Sequence, residues 1–269
     1  MIMAKRGDQT SPAEIYLLDW RSETSERIPT VTENVSQERM DISQIDWAPD
    51  GKTLGFFGIP TDPKQQGIWL VNLENNQMRF FAKGNRFSWS PTGDRIAVLN
   101  EPDAYSFAIK VIDLQTNEER LVLEFQHQEA STQMGLDWAP IGDKLLVTVP
   151  GVNPDGYRLD GLYVLEVDNS SFYPILGDSV WSLYHPAWLP NGKWLTSIAI
   201  TREGGTVVVA PETGECLYAW LPQLQKAEYV DVLPDGRKLL VISRGDLYIV
   251  DIEKAMGTQR LPEQLQCFS

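Results

Sequence analysis

The sequence predicts an all-β protein, a six-bladed β-propeller of four-stranded antiparallel blades whose closing blade is shared between the N- and C-termini. Three observations predict it. A W-x-P-x-G stretch recurs along the chain, short β-rich segments follow each copy in the same order, and the two chain ends read as parts of one incomplete copy.

The repeat begins as "DWAPDGKTLGFFG" at Asp46 and returns as "SWSPTGDRIAVLN" from Ser88, "DWAPIGDKLLVTV" from Asp137, "AWLPNGKWLTSIA" from Ala187 and "DVLPDGRKLLVIS" from Asp231. Trp47, Trp89, Trp138, Trp188 and Val232 are therefore equivalent, at steps of 42, 49, 50 and 44 residues, which suits about four short strands per copy. A first strand ends in W-x-P-x-G, where Pro and Gly supply the backbone angles of a tight turn. A second strand returns at once ("KTLGFFG", "DRIAVLN", "DKLLVTV", "KWLTSIA", "RKLLVIS"). A third follows a variable loop ("GIWLVNL", "FAIKVIDL", "GLYVLEV", "TVVVA", "DLYIVDI"). A polar turn then leads into a fourth, such as "RFFA", "RLVLE" or "CLYAW". Strands such as "KLLVTV" and "YVLEV" are apolar at nearly every position, so both faces of each sheet are covered, as in a blade wedged between two others. The Trp of W-x-P-x-G is read as a packing residue filling that wedge. Helical periodicity is absent from the repeats, with only "EYVDVL" and "EKAMG" tempting a helix assignment.

Ahead of the first full copy, "EIYLLDWRSETSERIPTV" (Glu14 to Val31) reads as third and fourth strands and "MIMAKRG" as a second strand. The tail "QLQCFS" sits where a sixth inner strand would begin, so the termini are expected to complete one blade and remove the open sheet edges. The expected single domain spans 1–269, with blades at about 1–36 plus 264–269, 42–83, 86–124, 135–177, 185–221 and 229–262. Met1 then falls at the start of a strand, which suggests a chain trimmed from something longer.

Composition narrows function by exclusion. The chain has 269 residues, 42% hydrophobic and 10% aromatic with nine Trp, enough to build a large core. Acids outnumber Lys and Arg by 37 to 23, a formal charge of −14, and this field repels phosphate backbones and anionic lipid, setting aside nucleic acid and membrane-surface partners. No apolar run approaches the roughly 20 residues needed to cross a bilayer, and the N-terminal stretch lacks the features of a signal peptide. Cys216 and Cys267 have neither the number nor the spacing of a disulfide framework or zinc site. They leave the compartment open.

Catalytic motifs are missing. There is no G-x-S-x-G elbow, P-loop or dinucleotide fingerprint, and "GG" at Gly204 and Gly205 reads as a turn. "GDSVW" at Gly177 places a Ser beside an Asp with His185 close by, but ordinary loop chemistry is the preferred reading. With only His127 and His185, a zinc or iron site of the usual type is not expected, and no cofactor is assigned. Asp46, Asp137 and Asp231 each precede the Trp position on an inner strand and form a weak calcium candidate. The competing reading, in which they bond to nearby backbone amides, is favoured.

The connections say more. The W-x-P-x-G turns and third-to-fourth-strand turns, short and polar, share one end of the blades. The other end carries "IPTDPKQQ", "NEPDAYS", "PGVNPDGYRLD", "EFQHQEASTQMG", "GDSVWSLYH" and "LPQLQKAE", long and dissimilar. Variable loops on a rigid scaffold commonly carry function. The candidate partner-binding residues there are Tyr105, Asp155, Tyr157, Arg158, Asp160, Trp181, Tyr184 and His185, a mixture of aromatics and charge suited to protein recognition. The alternative is that these loops only pack on each other.

The pattern W-[AS]-P-x-G-[KD]-x-[LI], followed by a strand such as "IYLLD" or "LYIVD", resembles the TolB-type propeller repeat, also called the PD40 or WD40-like repeat. It lacks the Gly-His and terminal Trp-Asp pairs of the true WD40 repeat. The resemblance spans nearly the whole chain. It implies a bacterial protein that binds a protein or peptide partner, periplasmic or extracellular if a signal peptide has been removed and cytoplasmic otherwise. Similar propellers also cover the active site of prolyl-oligopeptidase-type peptidases. The expectation is therefore a non-enzymatic binding or scaffold propeller. The alternatives are a propeller domain of, or regulatory cover for, a peptidase or other hydrolase, an enzyme with a channel-mouth metal, and a subunit of a larger assembly.

Overall fold

The computed structural model describes residues 2–5, 14–19, 22, 24–28, 40–103, 105–126, 134–149, 161–176, 182–201, 204–212, 218–220, 226–233 and 235–252. Strands β1 (Ile2–Lys5), β2 (Glu14–Asp19) and β3 (Thr24–Arg27) pair antiparallel in a three-stranded sheet. Five blades follow. The first is β4 (Asp41–Trp47), β5 (Thr53–Ile59), β6 (Gly67–Asn72) and β7 (Gln77–Ala82). The second is β8 (Arg86–Trp89), β9 (Arg95–Asp103), β10 (Ser106–Asp113) and β11 (Glu119–Gln126). The third is β12 (Gly135–Trp138), β13 (Lys144–Val149), β14 (Gly161–Glu166) and β15 (Phe172–Leu176). The fourth is β16 (Ser182–Trp188), β17 (Trp194–Thr201), β18 (Gly204–Pro211) and β19 (Tyr218–Trp220). The fifth is β20 (Ala227–Val232), β21 (Lys238–Ser243) and β22 (Asp246–Asp251). "EYVDVL" is thus strand, and among the described residues no helix is long and apolar enough to cross a membrane.

The expectation of six four-stranded blades is corrected: there are five blades, and sheets hold three or four strands. The physical reason is that a blade opens with a W-x-P-x-G strand, and the N-terminal segment has none. Its sheet is built from β1, β2 and β3 alone, with no strand from the far end of the chain among the described residues. The tail Gln264 to Ser269, assigned to a shared closing blade, lies outside the described residues, as do Cys216, Cys267 and His127.

Each blade repeats one set of backbone bonds. The residue after the Trp position donates back across the turn, as in Ala48 N–H to the Thr53 carbonyl at 2.8 Å and Leu233 N–H to the Lys238 carbonyl at 2.9 Å. The turn glycine takes positive φ, +65° at Gly51 and +64° at Gly236, a region that costs glycine little. A second bond ties the end of the third strand to the start of the second: Leu73 to Lys52, Leu114 to Asp94, Val167 to Asp143, Glu212 to Lys193 and Ile252 to Arg237. It occurs once per blade.

Contacts divide the chain into two compact units, residues 1–101 with 109–121, and residues 102–108 with 122–269. Within the first, alternate side chains of one strand serve two cores. Leu54 and Phe56 of β5 and Trp69 and Val71 of β6 pack with Ile15 and Ile42; Phe57, Ile68 and Leu70 pack instead with Phe87, Trp89 and Val98. Within the second, Val208 and Ala210 of β18 join Leu146, Leu162 and Trp188, whereas Val207 and Val209 join Val230, Leu239 and Val241. This double burial explains strands without polar alternation. Trp89 and Trp188 are packing residues, with buried indole N–H groups that find no acceptor.

Candidate functional site

The inner strands carry a local irregularity that the repeat pattern does not announce. In β4 the register against β5 shifts between Ser43 and Ile45, leaving Gln44 as an extra residue at φ +41°. In β16 the register shifts between Tyr184 and Ala187, and His185 takes φ +50°. Such bulges re-aim a side chain out of the alternating pattern. Gln44 uses this to reach the following blade: its Nε2 donates to the Phe87 carbonyl at 2.6 Å and its Oε1 accepts the Phe87 N–H at 3.2 Å.

His185, three residues before Trp188 as Gln44 is before Trp47, also reaches the next inner strand. Its exposed ring meets Tyr229 of β20 edge-on, with centroids 4.9 Å apart and planes at 64°. Tyr229 is 37% exposed, and its hydroxyl stands 3.5 Å from Asp231 Oδ2 on the same face of β20. Asp231 Oδ1 accepts the Val232 N–H at 2.7 Å. Asp231 sits deep among neighbouring atoms yet keeps part of its surface open; burial pushes its carboxyl above the usual range, and the bonds from Val232 and Tyr229 only partly offset this. His185 lies at the bulge of β16 and Tyr229 in the half of β20 nearer the long connections, whereas Asp231 is next to last in β20, one residue before the Val232 that leads into the short turn.

Tyr105 tops the turn between β9 and β10, 54% exposed, and its N–H is held by Asp103 Oδ1 at 2.7 Å. Tyr184 is half-buried against the core shared by Ile198, Val207 and Val230, and its carbonyl accepts the Ser197 hydroxyl at 2.7 Å. Asp155, Tyr157, Arg158, Asp160 and Trp181 lie outside the described residues. Of the calcium candidates, Asp46 accepts the Trp47 N–H at 2.8 Å, and Asp137 Oδ2 accepts the N–H of Trp188 on the next inner strand at 2.7 Å. Among the described residues, no three His, Cys, Asp or Glu side chains are grouped to hold a metal ion. Sequence reasoning missed Tyr229. Its signal was available: it holds, relative to Val232, the position that Gln44 and His185 hold relative to their Trp.

A separate charged cluster lies at the short-turn end. Lys144 bonds Glu212 and stands 3.5 Å from Glu166, and the Glu212 bond leads in holding its ammonium pKa well above the usual lysine range against some desolvation. It joins the third blade to the fourth and is a structural clamp.

No protein-family model matches the sequence, and a search of the curated proteins finds no match. Solved structures do match. TolB from Acinetobacter baumannii superimposes with a TM-score of 0.72 at 15% identity, over 94% of this chain and 61% of that one. An oligogalacturonate lyase in complex with manganese gives 0.64 at 15% identity, over 94% and 72%. A chain of a nidogen/laminin complex gives 0.66 at 11% identity, over 94% and 89%. The fold is a β-propeller. The chain spans less than two thirds of the length of the TolB chain it resembles.

Proposed function

We propose that this chain is a non-enzymatic binding propeller that recognises a protein or peptide through the end of its blades bearing the long connections. The observation that carries this reading is the aromatic surface left open there: Tyr105 at 54% exposure, Tyr229 at 37%, and the exposed ring of His185. Large aromatics are the side chains from which interface hot spots are commonly made, and they are costly to leave in water. The likeness to TolB and to a chain from a nidogen/laminin complex supports the same reading. The net charge of −14 favours a partner with a basic contact surface, which such a field steers inward. Asp155, Tyr157, Arg158, Asp160 and Trp181, assigned to the long connections from the sequence alone, belong to the same proposal. Tyr184 packs in the core, so its truncation reads stability before binding.

The test is affinity for a partner recovered by cross-linking, measured for the native chain and for Tyr105→Ala, Tyr157→Ala and Trp181→Ala. At least one truncation should weaken binding by about 2 kcal/mol, roughly thirtyfold, with an unchanged melting temperature. Three neutral variants, with a loss on substitution at the short-turn end instead, would overturn the assignment.

A further inference from the structure

We propose that the His185, Tyr229 and Asp231 cluster is the point at which the partner inserts a cationic side chain, an arginine or lysine that lies against the Tyr229 ring and pairs with Asp231 Oδ2. This rests on the partner-binding reading and names the chemistry of the contact.

Asp137 and Asp231 both immediately precede the Trp position of their repeat. Asp46 and Asp231 each accept the N–H of the next residue on their own strand, and Asp137 hands its Oδ2 to the Trp188 N–H on the next inner strand at 2.7 Å, so an acid at this position can offer an oxygen away from its own strand. Asp231 has one oxygen fixed by the Val232 N–H, and its other meets only the Tyr229 hydroxyl, at 3.5 Å, with no cationic side chain among the described residues paired to it. A desolvated carboxylate with spare acceptor capacity gains most from a charge-assisted bond. The direction of its pKa agrees, since burial already disfavours the ionised form.

The walls fit the same guest. Tyr229 and His185 present two rings at a 4.9 Å centroid separation, and both are exposed. A guanidinium or ammonium over an aromatic face is attracted by the ring quadrupole, and a guanidinium can stack there while its N–H groups reach an adjacent carboxylate. An anion would meet Asp231 and the acidic field of the whole chain. A purely apolar group would bury the carboxylate further without a bond.

The experiment uses the full chain and two peptides, acetyl-Ala-Arg-Ala-amide and its citrulline counterpart, which keeps the shape and removes the charge. A lysine peptide forms a third arm. The readout is the imidazole carbon-bound proton resonance of His185, assigned against the one other histidine by a His127→Gln variant. The arginine peptide should shift His185 saturably at about millimolar concentration, and the lysine peptide less strongly. Citrulline should not shift it. Asp231→Asn should weaken the arginine shift about tenfold, Tyr229→Ala should abolish it, and Tyr229→Phe should keep it within about twofold. An equal response to citrulline, no saturable response to arginine, or an Asp231→Asn variant that binds as before would overturn the proposal. So would calcium chloride alone reproducing the shift at the same concentration. Partner binding that persists through Asp231→Asn but fails on Trp181→Ala sinks this contact and leaves the wider reading standing.

Discussion

Placing a methyl group at Gly55 should destabilise the packing of the first blade on the second. Gly55 lies mid-strand in β5, where its neighbours Leu54 and Phe56 are fully buried. A Cβ built there would stand 2.7 Å from Phe87 Cε2, 2.9 Å from Phe87 Cζ and 3.3 Å from Trp89 Cζ2. Neither ring is free to swing away, because Phe87 is held in the core and its backbone is clamped by Gln44. Overpacking of this kind costs about 1–3 kcal/mol, and the chain-entropy gain of replacing glycine returns roughly half to one of these. Gly55→Ala should therefore lose about 1–2 kcal/mol net, and Gly55→Leu more. For a chain of this size the alanine variant should melt some 2–8 °C lower. The equivalent position in the third blade is Leu146, packed in the same core as Trp188, so the penalty belongs to the Phe87 and Trp89 pair and not to the strand. Thermal melts of Gly55→Ala, Phe87→Leu and the double variant check this. Phe87→Leu removes the ring atoms at 2.7 and 2.9 Å and should make the second substitution nearly neutral. A neutral or stabilising Gly55→Ala in the native background would refute the wedge.

Other outcomes follow from the same contacts. Gln44→Ala removes two bonds to the Phe87 backbone and should cost about 1–3 kcal/mol in chemical denaturation, whereas a cost below half a kilocalorie would mean that water replaces the amide. Lys144→Met should cost about 1–2 kcal/mol by leaving Glu166 and Glu212 facing each other, and its double variant with Glu212→Gln should recover part of that loss. Thr92 and Ser90 hydroxyls hold the Asp94 carboxyl below its usual range; at Asp50, desolvation pushes upward but bonds from Lys52 and Thr53 win, so its pKa is also lowered. Stability from both is present above an unfolded pKa of about 3.9 and should fall as pH drops through the lower folded values. Asp231 has the opposite sign: its raised folded pKa makes ionisation costly, so Asp231→Asn should be neutral or stabilising at pH 7, with the gain shrinking as pH falls.

What could be read in advance follows the range of the interactions. The W-x-P-x-G turns join adjacent strands through Pro and Gly angles, so all five repeats became blades and the Trp residues became packing groups. Closure is not local. Whether β1–β3 acquires an inner strand depends on residues more than two hundred positions away, and a strand-like match at "QLQCFS" carries no information about pairing. The bulges at Gln44 and His185 were equally hidden, because one extra residue in a strand leaves no compositional mark. Tyr229 carries a positional signal, three residues before Val232, but "EYVDVL" reads as weakly helical, and the contact with His185 shows only when β20 is set beside β16. Tyr105 lies on the turn between β9 and β10 and is exposed; Tyr184 and His185, expected on a connection, lie instead in strand β16, His185 exposed at its bulge and Tyr184 packed against the core.

Hydrogen exchange on the chain alone and in complex with its cross-linked partner tests most directly whether the long-connection end is the recognition surface. Protection is expected at Asp103 to Tyr105, Ser182 to His185 and Ala227 to Asp231, with the turns at Gly51, Gly93, Gly142, Gly192 and Gly236 unchanged. Protection confined to those glycine turns, with the long connections exchanging as in the free chain, would contradict it.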